Sequence, residues 1–290
     1  MAPRLFEPVE IGTIALQHRV REYYAQRATR PGTLLITEST LIAARTGGLA
    51  NVPGIWGPAQ IGAWREVAAA VHTKGSFIFM QLWALGRIAE PAQLAAVARG
   101  WTFPYVSASN VPLTGRSACP RALSVAEIEA YVAIYIQAAR NTITVGFDGV
   151  EVHSANGYLP NQFLQDISNT RTDTYGGSIA NRARFVLEVV DAIVAAVRPQ
   201  RTAIRLSPWS TVHGMGMQDP LLPFSYLISA LTTRHPTLTY LHLIEPLISG
   251  DELRTEGTSG FDRASALAAA DDGSLVVFGR LFISNVSARY

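Results

Sequence analysis

Six short apolar runs, separated by longer stretches with helical periodicity, constrain this chain more than any other feature. The runs are residues 33–37 (Thr-Leu-Leu-Ile-Thr), 76–82, 148–153, 201–206, 239–243 and 275–279. Each is apolar along most of its length rather than alternating, which is the pattern of parallel strands buried on both faces. Between them, residues 58–74 place Ile61, Trp64, Val67, Ala68 and Val71 on one helical face. Residues 124–145 open with the capping box Ser124-Val-Ala-Glu127 and continue with Ile128, Tyr131, Ile134 and Tyr135. Residues 178–197 carry Phe185, Val186, Val189, Val190 and Ile193, and residues 221–234 and 262–270 complete the helical set. Such alternation predicts parallel strands joined by helical crossovers. A (β/α) barrel fits best. An open doubly wound sheet is the second choice, weakened because no Gly-x-Gly-x-x-Gly follows a strand. Residues 98–120, which contain Pro and Gly, read as a long surface excursion serving an active site.

A core of this kind needs apolar residues, and 48% of the chain is hydrophobic against 16% charged. Its 290 residues suit one barrel domain over residues 1–290, since single α/β barrels run to about 250 residues and beyond. Lys and Arg total 24 against 22 acidic residues, a net charge of +2 with no basic run, which argues against a nucleic-acid partner. The single cysteine, Cys119, excludes an internal disulfide framework and a cysteine-based zinc cluster. No apolar run approaches the roughly 18 residues of a membrane span, and the amino terminus lacks a signal pattern. A cytoplasmic location is expected.

In (β/α) barrels the chemistry gathers where strands end and the following loops begin. Here those positions hold Glu38, Gln81 with Trp83, His153 with Asn156 and Tyr158, Arg205, His242, and Gly279 with Arg280. A strand-end Gln is often only a loop-capping amide, and a lone His is often a satisfied structural group. Asp148 and the charges of residues 171–184 are expected to brace loops. The segment Glu151-Val-His-Ser-Ala-Asn-Gly-Tyr158 is more specific. His153 ends a strand and Asn156 turns back beside it, so two donors can converge on a carbonyl or enolate oxygen. Tyr158 is placed to supply or accept a proton. Arg205 is a fixed cation suited to an electron-rich ring or an anion, and the amides of Gly279 and Arg280 suit a phosphate.

These residues carry a resemblance. The matching segments are Leu5-Phe6-Glu-Pro8 to Arg19, Leu34-Leu-Ile-Thr-Glu38, Val52-Pro-Gly-Ile-Trp56 and Gln81-Leu-Trp-Ala-Leu-Gly-Arg87. The run from Ala139 through Gly146-Phe-Asp-Gly-Val-Glu-Val-His153 to Asn181-Arg-Ala-Arg184 follows, then Arg205-Leu-Ser-Pro208 and Phe278-Gly-Arg280. The chain resembles the old yellow enzyme family of FMN-dependent ene-reductases, nearest its branch that reduces chanoclavine aldehyde in ergot-alkaloid pathways. The resemblance implies a TIM (β/α)8 barrel that holds FMN at its carboxyl end, with NADPH or NADH as reductant. It implies that Gln81 contacts the flavin pyrimidine, Arg205 the N1–C2 edge, and Gly279 and Arg280 the phosphate. His153 and Asn156 would bind the substrate carbonyl, Tyr158 would give the α-carbon its proton, and Trp83 would line the pocket.

Three segments depart from the family. Val20 passes directly to Arg21-Glu-Tyr-Tyr24, where relatives have the end of the first strand and a flavin-contacting turn. The expected seventh-strand sequence is missing between Ile244 and Ser259, although Ser259-Gly-Phe-Asp262 resembles phosphate-loop glycines. Only Val286 to Tyr290 follow Phe282-Ile-Ser-Asn285. Strand stubs are expected near residues 18–20 and 256–259, the barrel is expected to be incomplete or irregular, and FMN is expected to be held more weakly than in full-length relatives. The expected function is FMN-dependent, NAD(P)H-driven reduction of an enal or enone, an α,β-unsaturated carbonyl compound of alkaloid-type secondary metabolism. The alternatives are a flavin-independent isomerase or epimerase of a pathway carbonyl intermediate, and an inactive binding paralogue.

Overall fold

The run Phe77–Trp83 is buried at every position after the first and forms an interior strand of the sheet. The computed structural model describes residues 9–11, 14–16, 19–97, 103–244, 248–249 and 252–253. The chain divides into two compact units, Met1–Pro246 and Leu247–Tyr290. The first begins with β1 (Val9–Ile11), β2 (Ile14–Leu16), α1 (Arg19–Arg27), β3 (Leu34–Ile36) and β4 (Thr40–Leu41). It continues through α2 (Pro58–His72), β5 (Phe77–Trp83), α3 (Pro91–Val97), β6 (Val106–Ser107) and β7 (Arg121–Ala122). Then come α4 (Val125–Thr144), β8 (Gly149–Ser154), α5 (Leu159–Leu164), α6 (Ile179–Val197), β9 (Thr202–Leu206), α7 (Leu221–Arg234) and β10 (Tyr240–Leu243). The described part of the second unit is the antiparallel pair β11 (Ile248–Ser249) and β12 (Glu252–Leu253).

The main sheet is parallel, in the order β10-β9-β8-β5-β3, with β4 pairing the carboxyl end of β5. It is a curled half-barrel, and one contact shows the curl. The rings of Phe79 on β5 and Tyr240 on β10 lie 5.6 Å apart, although two strands intervene. Three strand spacings in a flat sheet would separate them by about 14 Å. The inner face therefore closes on itself. Small residues make room for it, with Gly149 opposite Phe79 and Ala203 opposite Tyr240. Alternate residues face the helices, as Met80 does where its sulfur meets the Thr142 hydroxyl of α4 at 3.2 Å.

The expected strands at 33–37, 76–82, 148–153, 201–206 and 239–243 all form, each within a residue or two of its expected ends. The four expected helices within residues 58–234 form as well. Ser124 caps α4 by accepting from the Glu127 amide at 3.3 Å, while the Glu127 carboxylate accepts from the Ser124 amide at 2.8 Å. The loop braces also hold. Asp148 accepts from the Ile78 amide and from His72, and Arg171 donates to the carbonyls of Ala108 and Leu123. Val20, expected to end a strand stub, instead lies in α1, where its side chain and that of Tyr24 are buried. Of the long excursion, residues 103–120 are described. Tyr105 donates to the Arg87 carbonyl at 2.7 Å and Arg116 to those of Ile88 and Ala89, which hold this loop beside the ends of β5. The expected helix at 262–270, the strand at 275–279 and the stub near 256–259 lie outside the described residues. Among the described residues, no helix is long and apolar enough to cross a membrane.

The inner face is tight at Gly149, since a Cβ there would stand 2.4 Å from the Phe79 ring and 2.7 Å from the Arg201 carbonyl. Gly149→Ala should therefore cost about 1–3 kcal/mol in chemical denaturation through overpacking. An unchanged midpoint would mean that the ring moves aside freely.

Candidate active site

Strand register sets the site. His153 on β8 is paired with Arg205 on β9, which is paired with His242 on β10. Trp83 extends the same row on β5, one residue beyond the Leu82–Val152 pair. One layer deeper, Gln81 is paired with Glu151. The expected residues Gln81, Trp83, His153, Arg205 and His242 thus converge at the carboxyl end of one curled sheet, with Asn156 and Tyr158 on the turn that leaves β8. Gly279 and Arg280 lie outside the described residues.

Glu151 has no exposed surface. A bare carboxylate so placed would be very costly, and its surroundings explain why it is tolerated. Gln81 Nε2 donates to one oxygen at 2.6 Å and His242 Nδ1 to the other at 2.9 Å. The Arg205 guanidinium, close enough for Glu151 to favour its charged form, is a third opposing group. Gln81 Oε1 in turn accepts from Ser39 at 2.6 Å. The Gln81 amide keeps one N–H and one lone pair for a ligand. Glu38, beside Ser39, accepts from the Tyr24 hydroxyl. Burial raises its carboxyl to about 7. Sequence reasoning gave Glu151 no role, although a lone acid within an apolar strand was the available signal.

His153 is buried, and burial, reinforced by Arg205, His242 and His213, holds its pKa well below the ordinary value, so it is neutral near pH 7. Asn156 adopts a left-handed φ of 53°. Its side-chain amide makes no hydrogen bond among the described residues, which leaves it available on the turn two residues after the end of β8. The half-buried Tyr158 packs edge-on against Trp83 and His153, with ring centroids 4.9 and 4.8 Å apart. Tyr158 also precedes α5, whose second residue is Pro160. His153 Nδ1, Arg205 Nε and Trp83 Nε1 are buried without a partner among the described residues. Buried polar atoms are seldom left so. A ligand with acceptor atoms along a flat ring, such as a flavin, fits this donor set. His213, which sequence reasoning also missed, stands 5.5 Å from the Tyr158 ring.

The chain belongs to the NADH:flavin oxidoreductase / NADH oxidase family, which residues 20–287 match. It is an oxidoreductase of the old yellow enzyme type. It is 47% identical to the chanoclavine-I aldehyde reductase fgaOx3 of Penicillium roqueforti, over 97% of this chain and 87% of that one. It is 46% identical to the probable inactive reductase easA of Epichloe festucae var. lolii, over 82% of this chain and 67% of that one. The crystal structure of Old Yellow Enzyme from Pichia sp. AKU4542 matches with a TM-score of 0.82 at 35% identity, covering 98% of this chain and 86% of that one. The fgaOx3 alignment runs over 325 positions against 290 residues here, so that relative carries segments this chain lacks.

Buried His153 and half-buried Glu38 make opposite contributions to the pH dependence of stability. His153 has a depressed pKa in the fold, so the unfolded chain takes up a proton that the folded chain refuses. Its contribution to stability is lost as pH falls through about 6.5. In NMR spectra its ring should keep neutral-form shifts as pH falls from 8 through about 6.5, where an ordinary imidazole titrates. Glu38 has a raised pKa of about 7 against an ordinary 4.5, so its contribution is lost as pH rises through that window. Glu38→Gln should gain on the order of 1–3 kcal/mol over wild type at pH 8 and little at pH 4.5. Equal gains at both pH values would contradict the assignment.

Proposed function

We propose that this chain is an FMN-dependent ene-reductase that uses NADPH or NADH to reduce an α,β-unsaturated carbonyl compound, an enal or enone of alkaloid-type secondary metabolism, in the cytoplasm. The observation that carries this reading is the strand-end row of Trp83, neutral His153 and Arg205, with the Tyr158 ring packed against His153 and the Asn156 amide unbonded on the same turn. When bound, the flavin supplies the hydride. His153 and Asn156 donate to the carbonyl oxygen and draw charge from the alkene, so that its β-carbon accepts the hydride. Tyr158 holds the proton for the α-carbon, and the edge of Trp83 walls the pocket. Arg205 and the spare positions of the Gln81 amide hold the electron-rich ring. Gly279 and Arg280 are assigned to its phosphate by resemblance to the family. The partner is a small molecule, and neither nucleic acid nor membrane belongs to the reading.

A second reading, an isomerase or epimerase without flavin or an inactive binding protein, draws support from the likeness to easA, named as probably inactive, and from the internal departures after Val20 and between Ile244 and Ser259. Colour decides first. Freshly purified protein that releases flavin and oxidises NADPH in the presence of an enal supports the reductase. A colourless protein inert to both leaves the second reading standing. His153→Ala or Asn156→Ala should lower turnover about a hundredfold, roughly 3 kcal/mol of transition-state stabilisation. Tyr158→Phe should leave reduction by NADPH normal and slow reoxidation by the enal. Full activity in all three variants would make the cluster structural.

A further inference from the structure

Asn156 owes its position to a loop that carries none of the residues given roles above. Its φ of 53° lies in the left-handed region, which few non-glycine residues hold without support. Both of its backbone polar groups are captured by side chains from the segment after β9. The Asn156 N–H donates to Ser207 Oγ at 2.8 Å, and its carbonyl accepts from His213 Nδ1 at 2.7 Å. A carbonyl only accepts, so Nδ1 carries the imidazole proton and the tautomer is fixed.

His213 is itself held in place at a left-handed φ of 58°. The guanidinium of the buried Arg87 donates to the His213 carbonyl at 3.0 Å and to that of Gly214 at 3.2 Å. The loop then lies directly on the turn. Gly157 makes this possible, since a Cβ there would stand 2.9 Å from both His213 Cβ and Met215 Cγ. Contacts therefore run from Arg87 to His213, from His213 to the Asn156 carbonyl, and from that turn to the Asn156 amide and the Tyr158 ring.

We propose that His213 is a positioning residue for the carbonyl clamp. Its Nδ1–H holds the Asn156 turn in the conformation that packs the Tyr158 ring against His153 and presents the Asn156 amide from the same turn. The proposal rests on the clamp described under the proposed function. Losing this bond frees the turn while leaving the strand-borne residues Gln81, His153 and Arg205 where the sheet puts them.

Two variants separate the hydrogen bond from the backbone strain. His213→Gly accepts the left-handed φ without cost but has no donor. His213→Asn also tolerates that φ and places an amide N–H near where Nδ1 stood. The first readout is hydrogen exchange at residues 156–158, whose amides donate to Ser207, to Asn161 Oδ1 at 3.0 Å and to the Ala155 carbonyl at 3.2 Å. Exchange should quicken about tenfold in His213→Gly, the effect of losing one hydrogen bond, and stay near wild type in His213→Asn. The second readout is reduction of cinnamaldehyde by NADPH in the FMN-loaded protein. His213→Gly should lower kcat by about tenfold with the rate of reduction by NADPH unchanged, and His213→Asn should restore it. Unchanged exchange or kcat in His213→Gly, or equal losses in both variants, would overturn the proposal. A wild-type chain inert toward cinnamaldehyde brings down the reductase reading alone, because exchange at 156–158 still decides what His213 does.

Discussion

A carboxylate with no exposed surface, Glu151, dictates the arrangement of the sheet's inner face. Removing one partner from such a group would leave charge buried and uncompensated, at a cost of several kcal/mol. Its partners are therefore not free to drift. Gln81 sits on β5, Arg205 on β9 and His242 on β10, so one carboxylate on β8 gathers groups from three other strands. The backbone ladders fix each strand against its neighbour, and the carboxylate ties the same strands together from inside the curl. The polar row above it, from Trp83 to His242, inherits its spacing from that arrangement.

The site is assembled by two different means. Gln81, His153 and Arg205 lie on strands, where register and burial settle their positions. Asn156 and Tyr158 lie on a turn, where neither applies, and side chains from other segments have to supply the order. Ser207, His213 and Asn161 each bond to the backbone of that turn. A glycine at 157 lets the neighbouring loop approach closely enough to do so. Reaction geometry here depends as much on loop-to-loop contacts as on the barrel.

The same division explains what was legible in the sequence. Apolar runs mark buried parallel strands directly, so the strands bearing Gln81, His153 and Arg205 were visible, as was the Ser124–Glu127 cap of α4. Helix α5 was not, because Leu159–Leu164 is short and buried at every position, which leaves no amphipathic period to detect. The start of helix α1 was read as a strand stub near residues 18–20, since the likeness to the family leads one to expect the end of a strand there and nine residues give only a weak helical signal. His213 could not be found from sequence, because its partner lies 57 residues away and its φ leaves no compositional trace. The resemblance supplied the roles of the visible residues, and the structure supplied the groups that hold them.

The balance of donors and bases bears on which chemistry the site suits. Isomerisation through an enolate begins by removing a proton from carbon, which requires a base beside the α-carbon. Neither acid–base group of the inner row suits that task. Glu151 is engaged by Gln81 and His242 beneath the polar row, and the depressed pKa of His153 makes its imidazole a weak proton acceptor. The same depression keeps His153 neutral, and a neutral imidazole, a free amide and a phenol are suited to stabilising charge on oxygen and then giving up a proton. Such a set completes a reaction in which hydride arrives from elsewhere. Arg205, with its Nε unpartnered at the adjacent strand end, marks where an electron-rich hydride donor would be held. The chemistry of His153, Asn156, Tyr158 and Arg205 thus suits addition across an activated double bond.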